Sequence, residues 1–334
     1  MLKRIALGLT VSLVLGFLGV YVVAGRALFE AHTYQLQNPN ALVVSLCGVA
    51  LATVWLAPAE RIRLLCLSQD LQVRLRSAVL VNILSQFAGA VTPGDAGRGP
   101  AVAAALSRLG MPAGEGISLM MQLYVLDMIF YAWAVPLSLG YLIYSDIVAF
   151  PTSVKVFTLV AASLAFAGAI VLGRYPRLIV SLLLALAKWP LLKRFDTWLG
   201  KIAHDYYRSS KSYLSMPVSS WFKLHVLTAL GWLSGFVLLW GLLNLYGVEA
   251  GFLAVIALLN IITLASQLVP TPGAAGFTEA AVGLSVGTQA GSIAGALLVW
   301  RLATFYVSFL LGPLAGWLLL LSPPVKRSGR RTLR

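Results

Sequence analysis

Five ionisable residues stand inside long apolar stretches of this sequence, where a charge is costly unless it is paired or hydrated. They are Asp95, Arg98, Asp127, Glu279 and Arg301. Arginine offers a planar fork of donors to oxyanions, so Arg98 and Arg301 are suited to hold a phosphate. Asp127 and Glu279 can neutralise these arginines in an empty site or contact a cationic group. The alternative is two structural ion pairs that hold helices together.

Two nearly identical hexapeptides interrupt the apolar stretches, TPGDAG at 92–97 and TPGAAG at 271–276. Proline removes a backbone donor and glycine permits unusual backbone angles, so each hexapeptide is predicted to end one half-helix and begin another. The predicted helix-break residues are Pro93, Gly94, Gly97, Pro272, Gly273 and Gly276. Three amides precede the breaks and are predicted to add hydrogen bonds to the same site, namely Asn82, Asn260 and Gln267. The alternative is a pair of kinks that only pack.

The composition predicts an all-α polytopic membrane protein. Hydrophobic residues make up 59% of the chain and charged residues 11%, and the mean hydropathy is +0.87. Stretches long enough to cross the hydrocarbon core, about 20 residues each, occur at 5–25, 41–58, 117–144, 154–172, 224–246 and 293–320. We therefore expect about six transmembrane helices and two re-entrant hairpins, the latter at 77–108 and 251–288. The first stretch has no A-x-A-like cleavage site and is interpreted as a retained anchor.

The formal charge of +14 is concentrated between the apolar stretches. Basic residues precede the first stretch, follow the second from Arg61 to Arg76, cluster at 174–223 and close the chain. The positive-inside rule then places both termini and these segments in the cytoplasm, at the cell membrane. Such basic edges are expected to contact anionic headgroups rather than nucleic acid. Glu115 is expected at the cytoplasmic end of its span, where solvation is easy.

The two halves of the chain have the same order of features. Each has an asparagine about three helical turns before the break, then a short helix and a long span. With the termini inside, the first broken stretch enters from the cytoplasm and the second from outside, as in an inverted-topology repeat. Within a single membrane domain, 1–334, we predict repeats at 41–145 and 221–320. A basic cytoplasmic or interfacial linker at 173–220 joins them, and a basic tail follows at 322–334.

Other chemistries have little support in the sequence. His32, His204 and His225 lack metal-ligand spacing, and Cys47 and Cys66 are predicted to lie too far apart for a disulfide. The chain has no P-loop motif. We therefore expect no metal, no cofactor and no catalytic residues.

The motifs resemble the transmembrane, flippase-like region of lysylphosphatidylglycerol synthases. In the second half, Pro272, Gly273, Gly276 and Glu279, followed by Arg301 in the last span, are similar to that family's P-G-G-x-G-x-x-E and later arginine. The first half departs from the family pattern. Arg98 stands where the family often has glutamate, and Tyr124 stands where an arginine precedes Asp127 by three residues. We expect Arg98 to pair with Asp127 instead.

The resemblance implies a lipid translocase that moves an anionic, aminoacylated or polyprenyl-linked lipid between leaflets. It does not imply synthase activity, which belongs to a separate soluble domain, and it favours a transporter over an enzyme. Two alternatives stay open. One is an integral-membrane transferase acting on a lipid-linked substrate, and the other is an accessory subunit that presents lipid to a partner enzyme.

Overall fold

The computed structural model describes residues 36, 39–92, 94–145, 151–187, 196–269, 271, 273–286 and 290–325. The predicted span at 5–25, Pro93, Pro272 and the last nine residues of the predicted tail lie outside this part of the chain. The described residues are helical and contain no strand, which confirms the all-α class.

The helices follow the chain in an order close to the predicted one. Their bounds are α1 Ala41–Leu67, α2 Leu75–Ala90, α3 Arg98–Arg108, α4 Ala113–Tyr144, α5 Thr152–Arg174, α6 Pro176–Ala187, α7 Asp196–Leu214, α8 Val218–Leu245, α9 Phe252–Ser266, α10 Phe277–Val286, α11 Ala290–Arg301 and α12 Val307–Leu321. A π-helical segment, Leu302–Tyr306, joins α11 to α12. Helices α1, α4, α8 and the continuous segment Ser292–Leu321 are long and apolar enough to cross a membrane. Helix α5 covers the predicted span at 154–172.

Helix α1 extends beyond its predicted end. The apolar stretch was expected to stop at Pro58, but the helix continues through this proline to Leu67. Pro58 packs against the bare backbone of Gly231 in α8, and a neighbouring helix of this kind stabilises a proline inside a membrane helix. Arg61 and Arg63 therefore lie on a helix and not in a loop, which corrects the prediction from the charge pattern.

Two apolar clusters lie at opposite ends of the long helices. The first core includes Leu65, Leu119 and Leu224, and the second core includes Cys47 and Leu142. Helix α1 contributes Cys47 and Ala50 to the second core and Ala59 and Leu65 to the first, so the two cores are separated by roughly 14 Å of this helix, from Ala50 to Ala59. Helices α4 and α8 run from the first core to the second.

Each hexapeptide separates a pair of helices, α2 from α3 and α9 from α10. The two pairs pack in different cores. Residues on both sides of the α2–α3 pair, Val73 and Leu109, lie in the first core. Val255 of α9 and Val282 of α10 lie in the second core. The two breaks therefore approach the middle of the molecule from opposite ends.

The backbone takes the same unusual conformation at equivalent positions of the two breaks. Gly94 and Asp95 have φ angles of 58° and 59°, and Gly273 and Ala274 have 61° and 49°. L-residues rarely adopt this left-handed region, and glycine adopts it freely. The breaks diverge after this point, since Gly276 has a φ of 86° whereas Gly97 has −76°.

The predicted linker at 173–220 contains α6, α7 and the end of α5. Helix α7 is held to the first-core end of the molecule, where Tyr213 is fully buried. Ser118 and Ser210 share a hydrogen bond of 2.9 Å between their hydroxyl oxygens, which joins α4 to α7. A Cβ at Gly114 would lie 2.4 Å from the Ile202 carbonyl oxygen, so α7 crosses the start of α4 in close contact.

Candidate functional site

A cavity of about 260 Å³ lies between the two cores. Its walls come from α1, α2, α4, α8, both breaks and the π-helical segment. The ionisable arginines and aspartates among its described lining residues are Arg61, Asp95, Arg98, Asp127 and Arg301. Four of the five residues predicted from the sequence thus line one cavity, and the fifth, Glu279, contacts Arg301 from behind the wall.

Of the three predicted amide side chains, two line the cavity and one does not. Asn82 lines the cavity and donates from Nδ2 to the Trp55 carbonyl oxygen at 3.2 Å, and Gln267 lines it at the end of α9. Asn260 is not a lining residue and donates to the Ile256 carbonyl oxygen, 3.1 Å away in its own helix. Asn260 therefore does not face the cavity in this structure, because the helical rotation of α9 turns its side chain into the protein interior, and its role in binding stays a prediction.

The two breaks meet at the cavity. A Cβ on Gly94 would lie 3.9 Å from the Gln267 carbonyl oxygen, so the tip of the first break lies beside the entry to the second. Thr92 stabilises the first break, since its hydroxyl accepts from the Gly97 N–H at 2.7 Å and donates to the Ala88 carbonyl oxygen at 2.8 Å. One side chain thus caps the end of α2 and the start of α3.

Asp127 pairs with an arginine that sequence reasoning missed. Arg61 Nη1 lies 2.6 Å from Asp127 Oδ1 and also donates to the Thr228 hydroxyl at 3.0 Å. Trp232 Nε1 donates to the same carboxylate at 3.1 Å. The expected pairing of Arg98 with Asp127 is wrong, because α1 brings Arg61 across the cavity. The signal that could have revealed Arg61 is its position one turn after Pro58, provided that the helix is expected to continue past this proline.

Arg98 instead pairs with Asp95, three residues earlier in the first break. Both side chains line the cavity, and 35% of Arg98 and 25% of Asp95 is exposed. The second break has Ala274 at the position of Asp95 and, directly after the hexapeptide, Phe277 at the position of Arg98. The two breaks therefore share a backbone conformation but differ in charge, and only the first carries its own ion pair.

Arg301 and Glu279 form the most deeply buried ion pair among the described residues, with 8% and 1% of their side chains exposed. Arg301 Nε lies 2.7 Å from Glu279 Oε1, but the N–H does not point along this line, so the contact is a charge pair rather than a linear hydrogen bond. Glu279 Oε2 accepts from the Gly276 N–H at 2.8 Å. Glu279 thus joins the start of α10 to Arg301.

Arg301 keeps an unused donor. Its Nη2 is buried and has no hydrogen-bond partner among the described residues. The guanidinium lies 5.2 Å from the ring centroids of both Trp300 and Phe305, where the ring faces attract a cation. A buried donor on a charged group is costly when it has no acceptor, so this position favours an incoming oxyanion.

The π-helical segment sets the orientation of these side chains. The cavity is lined by Arg301, which directly precedes this segment, and by Thr304 and Phe305 within it. On another side of the segment, Trp55 Nε1 donates to the Ala303 carbonyl oxygen at 3.3 Å. Single π turns are frequent at functional sites. Phe305 also covers Gly273, where a Cβ would lie 2.1 Å from the ring.

Glu115 differs from its prediction as a solvated residue. It is 1% exposed, and its Oε1 accepts from Arg208 Nη2 of α7 at 2.9 Å. This contact could not be predicted from the sequence, because it depends on how the linker folds back onto α4. Cys47 and Cys66 are both free and buried, in different cores.

Membrane-length helices that enclose a charged cavity define an all-helical, multi-pass membrane protein. Residues 5–312 match the family model described as the lysylphosphatidylglycerol synthase TM region. The chain belongs to this family, which confirms the resemblance seen in its motifs. It is also 22% identical over 289 residues to a UPF0104 membrane protein of Archaeoglobus fulgidus, and this match covers 84% of the chain and 87% of the relative. The family is linked to lipid handling.

Proposed function

We propose that this protein is a flippase-like carrier that binds the phosphate-bearing headgroup of a membrane lipid in the central cavity and moves it between leaflets. The observation that carries the proposal is the buried, unused Nη2 of Arg301 on the cavity wall. A phosphate oxygen satisfies this donor, and Glu279 balances the arginine while the cavity is empty.

The cavity size supports a headgroup as the bound group. About 260 Å³ is slightly below the range of pockets that enclose a whole drug-sized ligand, about 300 to 1,000 Å³. In this proposal the acyl or polyprenyl chains stay outside, among the apolar helix surfaces. Asp95, Arg98, Asp127, Asn82 and Gln267 complete the wall around the headgroup.

The two helix pairs pack in apolar cores at opposite ends of the molecule, and this arrangement supports movement of a lipid across the membrane. In this proposal α2–α3 and α9–α10 are re-entrant hairpins of an inverted repeat, within the units 41–145 and 221–320. Their breaks reach the bilayer midplane from the two sides, as in transporters whose binding site lies between repeats. Non-helical backbone at this depth is tolerated where it lines a cavity.

The charge distribution supports a cytoplasmic first-core end. Arg74 and Arg76 follow Val73 of the first core, Arg108 precedes Leu109, and Lys223 precedes Leu224. By the positive-inside rule this end faces the cytoplasm. The proposal therefore keeps both termini inside the cell, in the cytoplasmic membrane, with membrane lipids as partners and room for a lipid-modifying enzyme that supplies the substrate.

A reconstitution assay tests the proposal. The full-length protein is placed in liposomes with headgroup-labelled lipids that are anionic, zwitterionic, aminoacylated or polyprenyl-phosphate-linked, and loss of outer-leaflet label on dithionite addition is followed. We expect faster transfer of one class of lipid and its loss in Arg301→Gln. Arg63→Gln is the matched control, since Arg63 pairs with Glu60 on α1 and does not line the cavity. Slow transfer of every lipid, unchanged by Arg301→Gln, would refute the carrier function.

A further inference from the structure

Two cations from different helices converge on one phenol at the first-core end of the molecule. Arg177 of α6 donates from Nε to the Tyr207 hydroxyl of α7 over a long 3.4 Å, and Lys211 Nζ lies 4.7 Å from the centre of the Tyr207 ring. The Arg177 contact, followed by that of Lys211, lowers the pKa of the Tyr207 phenol from its usual value. Cations gathered in this way leave a local excess of positive charge.

Nearby acids do not cancel this charge. Among the described side chains of α6 and α7, the one acid is Asp205, and it lies 3.8 Å from His204 Nδ1. The exposed basic residues of α7 recur at helical spacing on one side of the helix, at Lys201, His204, Arg208 and Lys211, and of these Arg208 is balanced by Glu115 of α4. The site at Tyr207 therefore continues a basic stripe and is open to an anion.

The neighbouring surface is apolar. Leu178 and Leu182 of α6, which follow Arg177, are 53% and 57% exposed. Exposed leucines beside basic side chains are typical of elements that lie in the headgroup region of a membrane. A soluble anion would contact only the cations. A lipid would contact the cations with its headgroup and the leucines with its chains.

We propose that Arg177, Tyr207 and Lys211 form a binding site for the phosphate of an anionic lipid headgroup, with the lipid chains against Leu178 and Leu182. The site is separate from the central cavity and does not depend on transport. The Arg208–Glu115 ion pair and the Ser210–Ser118 hydrogen bond attach α7 to α4, so the bound lipid holds the α6–α7 surface and the α4 end against the same leaflet.

Fluorine NMR of a 3-fluorotyrosine at position 207 tests the site in the full-length protein. The protein is placed in nanodiscs of phosphatidylcholine with increasing phosphatidylglycerol. We expect a saturable shift of the fluorine signal that weakens at high salt, because exposed charges are screened. In Arg177→Gln/Lys211→Gln the apparent affinity falls by roughly tenfold or more. Lys155→Gln/Lys223→Gln removes two charges elsewhere and is expected to titrate like the unsubstituted protein.

A second arm adds inorganic phosphate to phosphatidylcholine nanodiscs. The proposal predicts no saturable shift at millimolar phosphate, since the leucines contribute only to lipid binding. The same shift with phosphate alone would overturn the lipid assignment in favour of a soluble anion. A signal that does not respond to phosphatidylglycerol, or equal titration by the two double variants, would overturn the site itself.

Discussion

Glu279 has two structural tasks at the residue scale. One oxygen accepts from the Gly276 N–H at the start of α10, and the other balances the buried charge of Arg301. Removing one partner of a buried ion pair leaves an uncompensated charge and typically costs about 3 to 5 kcal/mol. Glu279, which lies behind the cavity wall, therefore stabilises Arg301, which lines the cavity.

This dual role predicts a large loss of stability in Glu279→Ala. The apparent melting temperature in detergent should fall strongly, and Glu60→Ala, which breaks the half-buried Glu60–Arg63 pair on α1, should change it little. The double variant Glu279→Ala/Arg301→Ala should recover part of the stability, since no isolated charge remains, but not lipid transfer. Equal melting temperatures for Glu279→Ala and Glu60→Ala would contradict this account.

The sequence was sufficient to identify most of the ionisable residues that lie at the cavity. A charge inside an apolar stretch is rare enough to be informative, and this criterion found Asp95, Arg98, Asp127, Glu279 and Arg301. It misses Arg61, because Pro58 predicts the end of a helix and so places this arginine in a loop. It also could not predict the partners, since Asp127 meets an arginine 66 positions away through the packing of α1 against α4.

At the scale of elements, the two breaks respond differently to the same change. Gly94 and Gly273 both have φ angles near 60°, which an added Cβ disfavours by about 1 to 2 kcal/mol. At Gly94 the space is otherwise open, with the closest atom 3.9 Å away, but at Gly273 the Cβ would meet the Phe305 ring at 2.1 Å. Phe305 belongs to the π-helical segment that also orients Arg301.

We therefore expect Gly273→Ala to lower the apparent melting temperature more than Gly94→Ala does. Ala274→Gly should be neutral or stabilising, because it relieves a positive φ of 49° without adding atoms. Thermal unfolding followed by size-exclusion chromatography measures all three variants. A Gly94→Ala variant as damaged as Gly273→Ala would show that the Phe305 contact is unimportant.

The hexapeptides predicted the breaks well, because proline and glycine act locally through backbone geometry. Other elements depend on tertiary contacts. The continuation of α1 past Pro58 relies on packing against Gly231, and the attachment of α7 relies on hydroxyl contacts with α4. The linker sequence at 173–220 showed a basic segment with leucines but not that α7 is fixed to the molecule.

At the scale of the whole molecule, the two cores define two faces, and the proposed orientation is testable. Ser215 is exposed just after α7 at the first-core end, and Glu249 is exposed beside Val248 of the second core. We expect a membrane-impermeant maleimide to label Ser215→Cys from the cytoplasmic side only and Glu249→Cys from the other side only. Cys47 and Cys66 are buried and should react slowly. Labelling of both variants from one side would contradict the topology.

Photo-crosslinking with a lipid that carries a photoreactive group on its headgroup shows whether the central cavity holds a headgroup. The full-length protein in liposomes is irradiated, and the modified peptides are mapped by mass spectrometry. We expect modification around the two breaks and Arg301, with loss in Arg301→Gln and retention in Arg63→Gln. Modification confined to the outer surfaces of α5 and α6, unchanged in Arg301→Gln, would contradict the claim that the central cavity holds a lipid headgroup.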